Sequence, residues 1–322
     1  MLEVIKPGLE TTVQDWPGRV GYWDKGFPPS GPMDAWSFRL ANVLVGNAPG
    51  AAGLECQFIG PTLRFQRAGV IALTGADMQA KLDGEPCPLW ESVAVAAGQT
   101  LVMSYATLGA RAYIAFAGSI ASERLLGSQA TFHKAGVGGL DGYALKAGQV
   151  VPVAPGQGVA GRRVKPAARP EIRSDRRWSI EVVRGPNDDW IDEAGHERFL
   201  SADWKLSSKS DRAGFRLEGP QWTFTDKAYN KLPEHGSEPA NILDQGYPMG
   251  AINLAGQTPI ILVNDGPSMG GFINPYTVPS GAFWKLAQAK PNDIFRFRVV
   301  TVDQAHELRR AIDRLCASAS LE

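Results

Sequence analysis

The sequence predicts a mainly β fold, and three observations predict it. Gly (36 residues) and Pro (23 residues) together make up nearly a fifth of the 322 residues, a content typical of chains with short strands and tight turns. Runs rich in Val, Ile and aromatic residues recur between these turns at irregular spacing. Amphipathic helices are few. A barrel or sandwich is therefore favoured over a βαβ arrangement.

The predicted strands are short apolar runs bounded by turn residues. They are Val70–Thr74, Leu101–Tyr105, Ala110–Phe116, Ser179–Arg184, Ile260–Val263 and Ile294–Val300.

Three helices are predicted from capping signals and apolar periodicity. The first follows Asp34, a good N-cap residue, and runs to Val45. The second covers roughly residues 188–200. The third starts at a capping box formed by Thr301 and Gln304. Its apolar stripe consists of Ala305, Leu308, Ile312 and Leu315.

A domain boundary is predicted at residues 151–174, which hold four prolines and five basic residues without periodicity. We expect a solvated linker here, with a first β unit at residues 1–150 and a second, with the C-terminal helix, at residues 175–322. A nucleic-acid-binding patch is the alternative, but aromatic residues are missing from this segment until Trp178.

Fragments with matching spacing suggest that the two halves are related β units. Ser30–Leu40 matches Ser207–Leu217, because each fragment has Ser, then Asp, then Phe-Arg-Leu at the same intervals. Ala97–Thr100 matches Ala255–Thr258 residue for residue.

The charge balance excludes several classes of function. Lys and Arg together number 33, as do Asp and Glu, so no basic surplus points to nucleic acid or to an anionic membrane. The longest apolar runs, such as Ala112–Ala117, are too short to span a bilayer, and the N-terminal segment lacks signal-peptide features. Three cysteines without metal-ligand spacing favour a reduced, cytoplasmic protein.

The loop Pro28–Asp34 is the most conformationally restricted segment of the sequence. Proline fixes φ, glycine admits positive φ, and the loop leads directly into the first predicted helix. Backbone N–H groups ahead of a helix can hold an anion. A rigid turn that ends in an N-cap is the structural alternative.

Three further loops combine small polar residues with Gly or Pro. They are Thr74–Asp77, Asn241–Asp244 and Asn264–Gly271. Such loops suit a small polar ligand that is bound through carboxamides, carboxylates and backbone donors. Asx-turns and caps are the structural alternative for Asp77, Asp265 and Asn241.

Several common site motifs are missing from the sequence. No phosphate-binding loop, dinucleotide fingerprint or nucleophile elbow is present. The four histidines lack metal-ligand spacing, so no metal is expected in this chain. Only His133, beside a glycine cluster, is a histidine that we would place near a site.

At these loops the sequence resembles the biotin-dependent carboxyltransferase family, also called allophanate hydrolase subunit 2 or KipA-like. Within that family it is most similar to the first part of the carboxyltransferase domain of urea carboxylase. The stretches that carry the resemblance are Thr11–Asp34, Gly53–Phe65, Leu73–Met78, Leu126–Phe132, Ser210–Pro220, Asp265–Phe272 and Phe283–Phe297.

The resemblance implies two cyclophilin-like β-barrel units with a few short helices. It implies three partners: an allophanate hydrolase subunit 1 (KipI-like) unit, a biotin carboxylase and a biotin carrier. No lysine here lies in a biotin-acceptor Ala-Met-Lys-Met context, so biotin is expected on a separate protein. Because the sequence ends soon after its last helix, the KipI-like unit is expected to be another polypeptide, and this chain to be inactive alone.

The implied reaction transfers carboxylate from carboxybiotin to a nitrogen of urea or a urea-like amide. Asn241 and Asp244 are the expected catalytic residues, for an acceptor hydrogen bond and for orientation. The expected substrate-binding residues are Ser30, Gly31, Thr74, Asp77, Asp265, Ser268, Gly270 and Gly271.

One position departs from the family pattern. Urea carboxylase usually has Asn-Ile-His-Asp where this chain has Leu243. The acceptor is therefore left open. Two alternatives remain: a subunit of an ATP-dependent 5-oxoprolinase, and a non-catalytic KipA-like regulator that binds a KipI-like partner.

Overall fold

The computed structural model describes all 322 residues and divides into two compact units. The first unit comprises residues 1–22, 29–174 and 312–322, and the second comprises residues 23–28 and 175–311. The predicted mainly β fold is confirmed. No helix is both long enough and apolar enough to cross a membrane.

The first unit contains eleven strands in two antiparallel sheets. The strands are β1 (Leu2–Lys6), β2 (Glu10–Gln14), β3 (Gly53–Gln57), β4 (Thr62–Phe65), β5 (Gly69–Asp77), β6 (Lys81–Leu82), β7 (Glu85–Pro86), β8 (Ser92–Val95), β9 (Thr100–Val102), β10 (Leu108–Phe116) and β11 (Val150–Val151). One sheet has the order β11-β1-β4-β9-β6-β7 and the other the order β2-β3-β10-β5-β8.

The core of the first unit lies between these sheets. Leu63 from the six-stranded sheet belongs to the same buried cluster as Leu54 and Ile114 from the five-stranded sheet. Helix α1 (Ala35–Leu44) covers the other face of the five-stranded sheet, where Phe38 packs edge-on against Tyr113 with ring centroids 5.8 Å apart. This double coverage explains why β10 is buried along nearly its whole length.

The second unit is built on a closed barrel of seven strands in the order β12-β19-β16-β17-β14-β13-β20. The strands of the whole second unit are β12 (Arg177–Arg184), β13 (Trp204–Leu206), β14 (Gly214–Glu218), β15 (Asn241–Gly246), β16 (Ala251–Ala255), β17 (Thr258–Leu262), β18 (Met269–Phe272), β19 (Tyr276–Thr277) and β20 (Ile294–Val299). Parallel pairing of β12 with β20 closes the ring. Strands β15 and β18 form a separate two-stranded sheet.

An aromatic stack fills the second unit. The Phe199 ring lies 4.5 Å from the Tyr276 ring and 4.4 Å from the Phe297 ring, both in stacked geometry. Phe199 comes from α2 (Glu193–Ser201), which starts at the N-cap Asp192 rather than at residue 188. Residues 188–190 instead form a 3-10 turn.

The remaining helices are α3 (Asp226–Tyr229), α4 (Phe283–Gln288) and α5 (Val302–Leu315). The predicted capping box of α5 is confirmed. The Thr301 N–H donates to Gln304 Oε1 at 2.9 Å, and the Gln304 N–H donates to Thr301 Oγ1 at 3.2 Å.

The expected match between Ser30–Leu40 and Ser207–Leu217 is wrong at the level of secondary structure. Phe-Arg-Leu lies in helix α1 in the first fragment and in strand β14 in the second. Asp34 caps a helix, whereas Asp211 accepts from the Ala213 N–H at 2.8 Å in a turn. The shared spacing therefore serves two different local structures.

The expected solvated linker, residues 151–174, is instead part of the first unit. Val164 is fully buried and forms a β-bridge with Leu321. The Trp36 indole N–H donates to the Ala168 carbonyl at 3.0 Å. Much of the segment is exposed to solvent, but buried residues such as Val164 and Ala168 attach it to the first unit.

Replacement of Gly219 by alanine is expected to destabilise the second unit. A Cβ there would lie under 3.0 Å from three ring atoms of Trp204, which is buried and cannot move aside. Forced overpacking of this kind lowers the free energy of unfolding by about 1–3 kcal/mol. Gly69→Ala is the control, because nothing lies within 4 Å of its added Cβ. Chemical denaturation of both variants measures the effect, and equal midpoints would contradict it.

Candidate functional site

The loop that precedes α1 is held in an unusual backbone conformation. Ser30 and Gly31 both have positive φ, 55° and 78°. For a serine this region is uncommon and persists where the surroundings impose it. The Arg19 N–H donates to the Pro29 carbonyl at 2.6 Å, and a Cβ on Gly31 would approach the Asp15 carbonyl to 3.1 Å. Ser30 itself is buried.

A buried carboxylate fixes the end of this loop. Glu55 Oε2 accepts from the Met33 N–H at 2.7 Å and from the Tyr113 hydroxyl at 2.9 Å. The same hydroxyl accepts from the Asp34 N–H at 2.8 Å. Burial, followed by the Glu55 charge, raises the pKa of Tyr113 well above its ordinary value, so the phenol keeps its proton. The Arg111 guanidinium lies 3.8 Å from the carboxylate as counter-charge.

The predicted cap by Asp34 is confirmed. Its carboxylate accepts from the Ser37 N–H at 2.9 Å and from the Ser37 hydroxyl at 2.6 Å. The other two candidates in the first unit also have structural contacts. The Thr74 hydroxyl is fully buried and donates to the Ser37 carbonyl at 2.8 Å. Asp77 accepts from the Gln79 N–H at 2.8 Å, which is an Asx-turn.

In the second unit, four predicted site residues lie together in the two-stranded ribbon of β15 and β18. Asn241 and Asp244 belong to β15, and Gly270 and Gly271 belong to β18. This ribbon is not part of the barrel. Its residues are half-buried or exposed throughout.

Strand β15 contains a three-residue bulge within this ribbon. Asn241 pairs with Phe272 and Gln245 pairs with Gly270, so three residues, 242–244, oppose Gly271 alone. A Cβ on Gly271 would lie 3.0 Å from the Ile242 carbonyl, closer than ordinary side-chain contacts. Glycine at this position therefore lets the bulge close onto β18.

The Tyr247 side chain binds the main chain of β18. Its hydroxyl donates to the Phe272 carbonyl at 2.9 Å and accepts from the Phe272 N–H at 2.6 Å. A Cβ on Gly270 would lie 2.9 Å from the Tyr247 ring. Burial raises the pKa of Tyr247, so the hydroxyl remains protonated for this double contact.

The side-chain polar groups of Asn241 and Asp244 are available to a ligand. The Asn241 carboxamide and the Asp244 carboxylate form no hydrogen bond or ion pair within the chain, although the Asn241 carbonyl accepts from Lys231 Nζ at 2.7 Å. Both residues lie at the bulge, one at its start and one at its end. Together they offer a donor, a neutral acceptor and a charged acceptor to a small molecule.

The other two polar residues predicted for the site, Asp265 and Ser268, have contacts within the chain. The Asp265 carboxylate is buried and pairs with the Arg212 guanidinium at 2.9 Å. The Ser268 hydroxyl lies 3.5 Å from the Trp23 carbonyl. Their contacts support the loop that leads into β18.

Sequence reasoning missed a buried histidine cluster in the second unit. His196 Nδ1 lies 2.7 Å from the Tyr276 hydroxyl, and His196 Nε2 lies 2.9 Å from an Arg184 guanidinium nitrogen and 3.0 Å from the Asp188 carbonyl. Burial, followed by the Arg184 charge, lowers the pKa of His196. His133, which we expected near a site, is exposed and packs edge-on against Tyr143.

The Carboxyltransferase domain family, subdomains A and B, matches residues 25–299. The chain belongs to this family. The resemblance carried by the loops is thus confirmed, and the matched range contains the whole ribbon.

Two relatives of this carboxyltransferase chain have names that refer to different compounds. It is 39% identical to the urea amidolyase of Lachancea kluyveri over 324 residues, which is 97% of this chain and 17% of that protein. It is 31% identical to a 5-oxoprolinase subunit of Escherichia coli over 312 residues, which is 96% of this chain and 94% of that protein. The chain therefore spans only about a sixth of the urea amidolyase.

A solved structure has the same fold. The urea carboxylase of Kluyveromyces lactis superposes with a TM-score of 0.91 at 35% identity. The match covers 100% of this chain and 29% of that protein.

The variant Glu55→Ala is expected to lose about 3–5 kcal/mol of unfolding free energy, because it removes a buried carboxylate 3.8 Å from the Arg111 guanidinium and the acceptor of the Met33 N–H and the Tyr113 hydroxyl. Chemical denaturation measures this loss. Glu3→Ala is the control, since it removes an ion pair with Arg64 that is partly exposed and contributes about 1 kcal/mol or less. Equal losses in both variants would refute the role given to Glu55.

Stability is expected to fall as pH drops through the ordinary pKa of histidine, because the lowered pKa of His196 means that the unfolded chain binds the proton more readily. The stabilisation is fully present above that pKa and is lost below it. His196→Asn should flatten the decline of unfolding free energy between about pH 7 and pH 5. His306→Asn, on the exposed side of α5, is the control and should retain the wild-type slope.

Proposed function

We propose that this chain is the carboxyltransferase subunit of a split biotin-dependent urea or urea-like amide carboxylase. Family membership gives the class of chemistry. The relatives named urea amidolyase and urea carboxylase support a urea-like acceptor for it.

The open polar groups of the β15 bulge carry the proposal. Asn241 and Asp244 lie within three residues of each other on a half-exposed strand, and their side chains are free for a ligand. Buried polar groups in proteins are normally paired, and the side chains of Thr74, Asp77 and Asp265 each have a partner within the chain. The bulge is thus the place where the predicted residues remain available.

The chemistry of these two side chains fits a ureido group. Urea presents one carbonyl oxygen and N–H groups on either side of it. The Asn241 carboxamide can donate to the carbonyl, and the Asp244 carboxylate can accept from an N–H. The ureido ring of biotin has the same pattern, so the residues present also fit the family's cofactor.

Biotin, when it is bound, supplies a carboxylate from its N1 nitrogen and takes up a proton there as the new C–N bond forms on the acceptor. The tasks left to this chain are to orient the acceptor nitrogen and to hold its carbonyl. Asn241 stabilises charge on the acceptor oxygen, and Asp244 aligns the N–H that loses its proton. Gly270 and Gly271 keep the opposite strand free of side chains.

The proposed assembly contains three further proteins: an allophanate hydrolase subunit 1 (KipI-like) subunit, a biotin carboxylase and a biotin carrier. The urea amidolyase and urea carboxylase relatives are several times longer than the region matched here. The rest of such an enzyme would accordingly be supplied to this chain by other regions or subunits. This chain alone is then inactive.

A second candidate function is a subunit of an ATP-dependent 5-oxoprolinase. The observation that favours it is the match to the Escherichia coli 5-oxoprolinase subunit, which extends over 94% of that protein. Leu243 favours it too, because an exposed apolar side chain at the bulge suits a lactam ring better than it suits urea. The same Asn241 and Asp244 groups would bind the amide of the lactam.

Reconstitution distinguishes the candidates. The chain is mixed with the three proposed partners, ATP and bicarbonate, and ADP release is measured with urea or 5-oxoproline, with and without avidin. Turnover with urea or a small amide that avidin abolishes supports the carboxylase. Avidin-insensitive turnover with 5-oxoproline overturns it in favour of the second candidate. Tight partner binding without turnover on either compound overturns both and indicates a regulator.

Asn241→Ala is expected to lower kcat of the reconstituted enzyme about 100-fold or more, the usual effect of removing one donor to a developing negative charge. The far-UV spectrum and the unfolding midpoint should remain those of the wild type, because the side chain makes no contact that the fold uses. Asn230→Ala, an exposed asparagine in the same region, is the control. Wild-type turnover in Asn241→Ala would remove Asn241 from the site.

A further inference from the structure

The backbone of the bulge is held from outside the ribbon. The Leu243 N–H donates to His235 Nδ1 at 3.0 Å rather than to β18. His235 ends the 3-10 turn Pro233–His235, and Gly236 follows it with φ of 79°. This glycine turns the chain back towards β15, and a Cβ there would lie 3.4 Å from Asn241 Nδ2. The imidazole therefore contacts the ribbon at Leu243, the middle residue of the bulge.

We propose that His235 is a positioning residue for the acceptor site: its neutral imidazole holds the β15 bulge in the shape that presents Asn241 and Asp244 to the acceptor. The proposal rests on the function proposed above for the same bulge.

The protonation state of His235 decides whether this contact exists. A neutral imidazole has one acceptor nitrogen, and here Nδ1 fills that role, so its proton resides on Nε2. A protonated imidazole has two donors and no acceptor. The Leu243 N–H would then face another N–H, and the hydrogen bond between Leu243 and His235 would break.

A second contact holds the main chain at Asn241, directly before the bulge. Lys231 Nζ donates to the Asn241 carbonyl at 2.7 Å and also to the Glu238 carbonyl. Burial lowers the pKa of Lys231. The segment 231–238 thus binds the main chain of β15 at three points: the Lys231 and His235 side chains, and the Glu238 carbonyl, which accepts from the Asn241 N–H at 2.9 Å. The position of Asn241 depends on these contacts.

Several other charged groups surround His235. Glu234 and Glu238 belong to its own segment, and Asp244 lies on the strand that it contacts. The Trp190 ring lies 6.2 Å from the imidazole, and the Lys227 and Lys231 ammonium groups lie 5.4 and 5.7 Å from that indole. Lys227 in turn pairs with Asp189. The segments around the imidazole thus carry charges of both signs.

Two variants separate positioning from simple packing. His235→Asn keeps an acceptor oxygen near the place of Nδ1. His235→Ala removes the acceptor. In the reconstituted enzyme, His235→Ala should lower kcat/KM about tenfold, as expected for an unpartnered N–H at the site. His235→Asn should restore kcat/KM towards the wild-type value, because its oxygen can accept from the Leu243 N–H. His306→Asn is the control and should keep the wild-type kcat/KM.

A readout without turnover makes the test independent of the proposed function. In protein labelled with ¹⁵N-leucine, the Leu243 amide proton resonance should move upfield in His235→Ala, which lacks the acceptor, and should stay near its wild-type position in His235→Asn. A Leu243 resonance that does not move in His235→Ala would overturn the contact. Wild-type kcat/KM in His235→Ala would overturn the positioning role. Absence of wild-type turnover on any acceptor would overturn the proposed function, while the Leu243 resonance would still decide the contact.

Discussion

Glu55 keeps its carboxylate inside the first unit, where an unpaired charge would cost several kcal/mol. The cost is offset by the Met33 N–H, the Tyr113 hydroxyl and the nearby Arg111 guanidinium. Through Tyr113 the same carboxylate reaches the Asp34 N–H, one residue before α1. The conformation of the Gly/Pro loop, the start of α1 and the covered face of the five-stranded sheet therefore depend on one buried charge.

In the second unit, the barrel and the proposed acceptor site are held together by different contacts. Its barrel is closed by backbone ladders and filled by the Phe199 stack. The ribbon that carries Asn241 lies outside those ladders and is held by side chains that include Tyr247, His235 and Lys231. The side-chain polar groups of Asn241 and Asp244 are therefore found on a pair of strands that is not part of the barrel.

Local signals were sufficient to predict the caps at Asp34 and Thr301, because each bonds to a residue three positions away. They failed where the partner is remote. The His196 ring meets Tyr276, which is 80 residues further along the chain, and no short pattern marks such a pair. The bulge likewise needs glycine at position 271, on another strand. The Ser-Asp-Phe-Arg-Leu spacing misled because spacing alone does not distinguish a helix from a strand. The composition predicted the β class, and the resemblance predicted the family.

The separation of the ribbon from the barrel has an evolutionary consequence. A substitution at residue 242, 243 or 244 alters the surface offered to an acceptor without removing a hydrogen bond from any barrel ladder. Under the proposed function, such changes are expected to alter the acceptor while leaving the barrel intact. The relatives named urea amidolyase and 5-oxoprolinase subunit refer to different compounds, although this chain matches both. Under that proposal, the bulge of β15 lets substrate choice change while the fold is inherited unchanged.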